Sequence, residues 1–267
     1  MWEGRTINML KHFWQGSYNN YGFEAYGQEH LIVLYILAIL IMLMVFFRNK
    51  ITPKADKLIK VISSSITIVC ELLFHVWNYI NDENFLGNLF YFDLCSITLI
   101  LSVVFNLKNE LNKTQKQHIF ELIYFWSIGA IAALAFPALV YGANKFRFYH
   151  FFIIHSYIIL TMCYGLIVER YKISFKSFLY ALKTLIFVAV LVAFIDKVFD
   201  QNYMYLSHAP ETASPLDDFG EGLEYYFNFG ILTGGIFFLF YFPCGIVNFI
   251  KSKASPDIVE SDVNLNA

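Results

Sequence analysis

The stretch NLFYFDLCSITLILSVVFNL, residues 88–107, decides the fold of this chain. It is mostly apolar, and at a helical rise of about 1.5 Å per residue a segment of roughly twenty residues crosses a bilayer. It also carries an acid, Asp93, and a thiol, Cys95. Ionisable groups inside such a segment are costly, so they are candidates for function.

The composition of the whole chain is that of a membrane protein. Of the 267 residues, 58% are hydrophobic and only 15% are charged, whereas soluble domains carry about 25% charged residues. Long apolar runs recur along the chain, which indicates several membrane crossings rather than a soluble domain with one anchor. The net charge of -2 does not point to nucleic acid. We therefore expect membrane lipids as partners and no nucleic acid, while protein partners stay open.

The cysteines do not indicate a metal site or a disulfide framework. All four lie inside apolar runs, and none has a second cysteine at CxxC spacing. The sequence therefore predicts no metal and no cofactor.

Seven apolar segments predict an all-α membrane protein, a bundle of seven transmembrane helices within residues 30–250. Residues 1–29 have apolar side chains at roughly helical spacing, which suits either an interfacial helix or a partly ordered leader. Residues 251–267 have the composition of a solvated tail. The predicted spans are 30–47, 58–80, 88–107, 118–139, 149–171, 175–199 and 223–250.

The distribution of basic residues predicts the orientation of the bundle. One set of connections carries 13 lysines and arginines, and the opposite set carries 4. Positive residues favour the cytoplasmic side, so we expect the N-terminus outside and the C-terminus in the cytoplasm. The connection 200–222 would then be extracellular; it is acidic and has no lysine or arginine. Its length favours a functional cap or lid.

This orientation predicts a polar cluster near the outer leaflet. Counting from the segment ends, Cys95 and His155 lie at about the same depth, roughly 10 Å below the outer boundary. Glu71 and His75 are spaced to share one helix face near the outer end of the second span. The inner halves of the spans carry few polar residues, and we expect Glu121 and Lys183 to extend to the inner interface.

A thiol next to an imidazole is a nucleophile with a base. His155 would take the Cys95 proton and later return it, and Glu71 or His75 would orient the imidazole or polarise a carbonyl. At this depth the electrophile is an ester of a lipid glycerol, which gives an acyl thioester on Cys95. Asn88 and Tyr91 share the helix face of Cys95. Asp93 points about 200° away on a regular helix, so we assign it a helix–helix or lumen contact.

Other interpretations of the same residues are open. A cysteine in a span is often a small apolar filler, and an intramembrane histidine often only bonds a neighbouring helix. A transporter would line a proton or ion path with Glu71, His75, Asp93 and His155, although such a path also needs polar groups in the inner half. A receptor or assembly protein would use the acidic connection to bind a partner or a divalent cation. The candidate oxygen and imidazole donors there are His208, Glu211, Asp217 and Asp218.

Four segments, in this order, resemble the YwaF family of bacterial integral membrane proteins. They are YFDLCSI at 91–97, YFWSIGAIAALAFPAL at 124–139, FRFYHFFIIHS at 146–156 and NYMYLSHAPETASPLD at 202–217. That family is similar to a vertebrate transmembrane acyltransferase group that builds ether-linked phospholipids. The resemblance implies a seven-span protein of the bacterial plasma membrane, with acyl transfer between phospholipids as its activity.

The resemblance also assigns candidate site residues. The cysteine of a family pattern close to LPLHLC corresponds to Cys95, and a histidine of the fifth span corresponds to His155. The connection is expected to contribute substrate or loop residues, namely Asn202, Tyr203, His208 and Asp217. The chain departs from the pattern where Tyr91 or Phe92 replaces the proline and Asp93 replaces the histidine. A further family pattern, GPWPWY, is reduced here to Gly-Glu-Gly at 220–222.

Overall fold

A computed structural model of the protein describes residues 11–16, 22–81, 92–209 and 216–254. Within them the regular structure is helical, and the only bridge between extended residues joins Gly22 to Tyr141. A short 3₁₀ helix, Tyr203–Tyr205, lies between the last two long helices. Residues 11–14 are also helical. The longer α-helices are α1 (Gln28–Phe47), α2 (Pro53–Asn81), α3 (Leu94–Leu107), α4 (Lys113–Trp126), α5 (Ile128–Ala135), α6 (Phe146–Ile167), α7 (Phe175–Phe199) and α8 (Leu223–Ala254).

The helices confirm a polytopic helical membrane protein. Six helical segments in the described part are long and apolar enough to cross a membrane, with α4 and α5 taken as one. Helix α3 has 14 residues, or about 21 Å, which is shorter than a hydrocarbon core of about 30 Å. Residues 88–91 of the predicted third span lie outside the described residues. A count of seven crossings and the orientation of the termini therefore stay predictions.

The predicted span 118–139 differs from the helices that form. Helix α4 starts at Lys113 because Asn112 and Gln115 form a capping box, in which each side chain bonds the other residue's backbone N–H. The helical axis is interrupted at Ser127, and α5 ends at Ala135. The sequence interpretation followed hydrophobicity alone, so it missed the polar first turn that the capping box holds in the helix.

Helix α6 is the centre of the bundle, since it packs against α1, α2, α3, α4 and α5. Hydrogen bonds between side chains show that α2 runs antiparallel to α6. Ser64 pairs with Tyr157 and Glu71 pairs with His150, so the partner on α6 moves backward as the chain of α2 advances. We call the end of the bundle where α3 and α6 begin the Cys95 end, and the opposite end the Lys60 end.

The buried core lies between α3, α4, α5, α6 and α7, and the outer helices expose apolar side chains. Phe120, Ile123 and Phe125 of α4 are fully buried against this core. On α1, in contrast, large apolar side chains such as Tyr35 and Phe46 are more than 60% exposed. A helix that is apolar all round and still exposed is stable only in contact with lipid.

The half of the bundle near the Lys60 end carries more polar contacts than the sequence interpretation expected. Tyr157 of α6 pairs with Ser64 of α2 at 2.7 Å and accepts from Asn106 of α3 at 3.0 Å. Further along, Tyr164 donates to Asp56 at 2.6 Å. The sequence interpretation, which predicts this half to be the inner one, did not count these hydroxyl and amide groups, because in apolar runs they do not stand out by charge.

Two ion pairs complete this row of contacts at the Lys60 end. Lys60 contacts Asp56 at 3.0 Å and Glu169 at 2.7 Å, which ties α2 to the residues that follow α6. Tyr171 lies beside the same acids, and burial, with the nearby charges of Glu169 and Asp56, raises its pKa to about 12. The phenol is therefore neutral at all physiological pH values.

The Glu121 side chain is buried and does not extend to an interface as expected. It accepts hydrogen bonds from Ser177 at 2.8 Å and from Gln117 at 3.1 Å, and it also contacts His118 at 3.0 Å. Ser177 belongs to α7, so the carboxylate joins α4 to α7 inside the bundle. A buried carboxylate persists only with such partners.

Candidate functional site

Cys95 lies in the first turn of α3, at the Cys95 end of the bundle. Its Sγ atom packs against Gly129 of α5 so closely that a Cβ atom on that glycine would lie 3.0 Å from the sulfur. The Asp93 side chain occupies the N-cap position but does not cap the helix. The first backbone N–H groups of α3, which lie next to the Cys95 thiol, are therefore not capped by the Asp93 side chain.

His155 is buried on α6, and its tautomer is set by the backbone. Nδ1 donates to the carbonyl oxygen of Phe151 at 2.7 Å, since a carbonyl can only accept. Nε2 then carries the lone pair and is the atom that can take a proton. The orienting group is a backbone carbonyl of the same helix rather than Glu71 or His75.

Cys95 and His155 lie on neighbouring helices that both begin at the Cys95 end, and no hydrogen bond joins them among the described contacts. Asn106 of α3 bonds both Tyr157 and Thr161 of α6, which fixes the relative level of the two helices. At about 1.5 Å per residue, this register places the His155 backbone roughly 10 Å deeper than that of Cys95. The segment ends predicted equal depth for Cys95 and His155, whereas this register places the two backbones at different levels.

Glu71 pairs with His150, a residue that the sequence analysis did not select. His150 Nε2 donates to Glu71 at 2.9 Å, and Arg147 donates to His150 Nδ1 at 2.7 Å. Phe74 of α2 stacks on the His150 ring at 4.0 Å and lies 4.2 Å from the Arg147 guanidinium. His75, the next residue along α2, contacts the Phe74 ring. The spacing of Arg147 and His150 on one helix face was the available signal.

Residues 11–16 cover this polar group at the Cys95 end. Trp14 packs on Phe146 with ring centroids 4.6 Å apart, and Gly16 N–H donates to Asn81 at 2.8 Å. Lys145 is buried here and donates to the His12 carbonyl at 2.8 Å. Burial lowers the pKa of Lys145. Residues 11–16 thus pack on α2 and the start of α6.

The loop residues that the sequence analysis selected organise the loop itself. Asn202 donates to the ring Nδ1 of His208 at 2.6 Å and accepts from Ser207 at 3.0 Å. Tyr203 packs edge-on against Phe92, with ring centroids 5.6 Å apart. Asp217 is exposed in a turn. Asn88 and Tyr91 lie outside the described residues.

The hydrogen bond that the structure describes for the Asp93 side chain goes to a loop and not to one of the neighbouring α-helices. Its Oδ1 atom accepts from the backbone N–H of Met204 at 3.1 Å, which connects the start of α3 to the loop after α7. No group of three or more side chains that could bind a metal ion together occurs among the described residues.

Comparison with known proteins identifies the family. Residues 25–241 match the model of the TMEM164 family, which covers most of the chain. No curated protein and no solved structure matches it. The matched residues include all of α2, α3 and α6. The chain belongs to the TMEM164 family.

Proposed function

We propose that this protein is a membrane-embedded lipid acyltransferase that carries the acyl group as a thioester on Cys95. The proposal extends to seven crossings, with the Cys95 end at the outer leaflet of a bacterial plasma membrane. The substrates are glycerophospholipids, because their esters lie just below the headgroups at the level of the first turn of α3. The resemblance to acyltransferases described above supports the chemistry, and His155 is the proposed base.

The observation that carries the proposal is the position of the Cys95 thiol. It sits at the N-terminal end of α3, where the first N–H groups, which the Asp93 side chain does not cap, and the helix dipole stabilise negative charge. Because Asp93 is bonded to Met204 rather than to these groups, they are available to a thiolate or to the oxyanion of a tetrahedral intermediate. An apolar filler cysteine has no need of this position.

His155 supports the proposal through its fixed tautomer. A general base must reach the proton within about 3 Å, or through one water molecule, when substrate is bound. The Nε2 lone pair is available, since Nδ1 is bonded to Phe151. The register of α3 and α6 leaves a gap between the sulfur and the ring, so the proposal requires a water molecule or the acceptor hydroxyl between them.

The reaction proceeds in two balanced steps. The Cys95 proton passes to His155, the sulfur attacks the carbonyl carbon of a phospholipid ester, and the C–O bond breaks. The departing lysophospholipid oxygen takes the proton from His155. In the second step the hydroxyl of an acceptor lysophospholipid gives its proton to His155 and attacks the thioester, and the released thiolate regains the proton.

Mass spectrometry of the intact protein tests this function. The purified protein, in nanodiscs with a phospholipid of one acyl type, should gain one hydroxylamine-sensitive acyl mass on Cys95. Cys95→Ala should remove the adduct, while Cys163→Ala, a cysteine of α6, should keep it. His155→Ala should slow its formation by at least about 100-fold. An acyl adduct that survives Cys95→Ala would contradict the proposal. So would the absence of an adduct when the unaltered protein is given the donor phospholipid without an acceptor.

A proton-coupled transporter is the second candidate, and one observation favours it. Polar pairs follow the α2–α6 interface from Glu71 and His150 at one end to Asp56 and Tyr164 at the other. The objection that the inner half lacks polar groups therefore no longer holds. Tyr157→Phe in proteoliposomes, with a pH-sensitive dye inside, should lower proton flux if this candidate is correct. If liposomes with the unaltered protein took up protons no faster than protein-free liposomes, this candidate would be excluded.

A further inference from the structure

Two carboxylates from different helices bind consecutive N–H groups of one loop. Asp93, before α3, accepts from Met204 at 3.1 Å, and Asp196, in the last turn of α7, accepts from Tyr203 at 3.0 Å. The loop residues 202–206 are here called the lid segment. Since a carboxylate is a strong acceptor, the segment is attached at its centre to both α3 and α7.

The lid segment lies at the start of α3, close to Cys95. Tyr205 is within electrostatic range of both Asp93 and the Cys95 sulfur. The Tyr203 ring packs on Phe92, and Leu206 is buried in the same apolar cluster at the end of α7. The carbonyl of Tyr205 also accepts from Tyr225 of α8 at 2.7 Å. The segment thus bridges three helices beside the thiol.

The backbone of the lid segment is strained in this position. Met204 and Tyr205 have φ values of 55° and 54°, in the left-handed region that is unfavourable for bulky residues. Asp196 is 5% exposed, and its second oxygen, Oδ2, has no hydrogen-bond partner in the described structure. Both features are costly, and both would be relieved if the segment moved away and admitted water.

We propose that residues 202–206 form a lid over Cys95, held closed by Asp93 and Asp196, whose opening exposes the thiol to solutes at that end of the bundle. The lid concerns access to the sulfur and does not depend on the acyl-transfer chemistry. Asp93 and Asp196 are positioning residues in this scheme, because they act on the backbone of the lid rather than on a substrate.

The rate of thiol modification tests the lid directly. The background variant Cys70→Ala/Cys163→Ala/Cys244→Ala leaves Cys95 as the single cysteine, and nanodiscs make both faces accessible. A positively charged methanethiosulfonate reagent should modify Cys95 slowly. Asp93→Ala/Asp196→Ala should raise that rate at least tenfold. Asp93→Asn/Asp196→Asn should raise it less, since asparagine keeps the Oδ1 acceptor.

Matched controls separate lid opening from general loosening. Asp218→Ala removes an exposed acid of the same connection and should leave the rate unchanged. Tyr225→Phe removes only the bond to Tyr205 and should raise the rate even if the double alanine variant fails to fold. An unchanged rate in folded Asp93→Ala/Asp196→Ala would overturn the lid. The lid would also be overturned if Cys95 in the background variant reacted as fast as an exposed cysteine. The exposed reference is the cysteine of Asp218→Cys, in a chain that also carries Cys95→Ala.

Discussion

His150 donates a hydrogen bond from Nε2 to the carboxylate of Glu71 over 2.9 Å, and this bond joins α6 to α2 near the Cys95 end. The donor role follows from the other ring nitrogen, which accepts from Arg147, a residue with donors only. The ring is 2% exposed, whereas Glu71 retains 25% exposure. The neutral imidazole therefore links the Arg147 guanidinium to the Glu71 carboxylate through two hydrogen bonds.

Removing this imidazole should destabilise the bundle. His150→Ala deletes a hydrogen bond to a charged group and the ring stacked on Phe74, so we expect a loss of about 2 kcal/mol. Thermal unfolding in detergent, followed by intrinsic fluorescence, measures the shift. His208→Ala removes an exposed loop histidine and should change the midpoint little. Equal midpoints for both variants would show that the Glu71–His150 bond adds nothing.

The sequence alone predicted the helical class and most helix positions, because apolar segment length depends on the membrane rather than on the rest of the chain. It also placed Cys95 and His155 on separate helices, which the structure shows to be neighbours. It could not predict their relative level. That level depends on the Asn106 bonds to α6 and on the start of α3 at Leu94, six residues after the apolar segment begins.

The polar partners of the site were harder to find for a different reason. His150 lies among aromatic residues near the start of α6, and its spacing from Arg147 is the one local signal that marks it. Its partner Glu71 is distant in sequence, so only the packing of α2 on α6 reveals the pair. Tyr157 and Ser64 are likewise ordinary residues of apolar runs until their bond is seen.

Gly165 permits the close approach of α6 to α4. A Cβ atom at this position would fall within van der Waals overlap of the Phe120 ring, which is fully buried. Gly165→Ala should therefore cost about 3 kcal/mol or more through overpacking. Thermal unfolding again provides the measurement.

Two variants test that explanation. Gly230→Ala of α8 introduces the same methyl group where nothing lies within 4 Å, so its midpoint should stay the same or rise through helix propensity. Phe120→Ala should cost less in the Gly165→Ala chain than in the unaltered chain, because the ring is the clashing group. Additive losses would point to another cause.

Tyr157 is the node that joins three helices in the middle of the bundle. Its hydroxyl contacts Ser64 of α2 and Asn106 of α3. Tyr157→Phe leaves both partners with a lost bond in a buried setting, so we expect a destabilisation of about 1–2 kcal/mol. Tyr35→Phe, on the exposed face of α1, is the matched control. A midpoint for Tyr157→Phe within error of that control would mean that water or Thr161 replaces the hydroxyl.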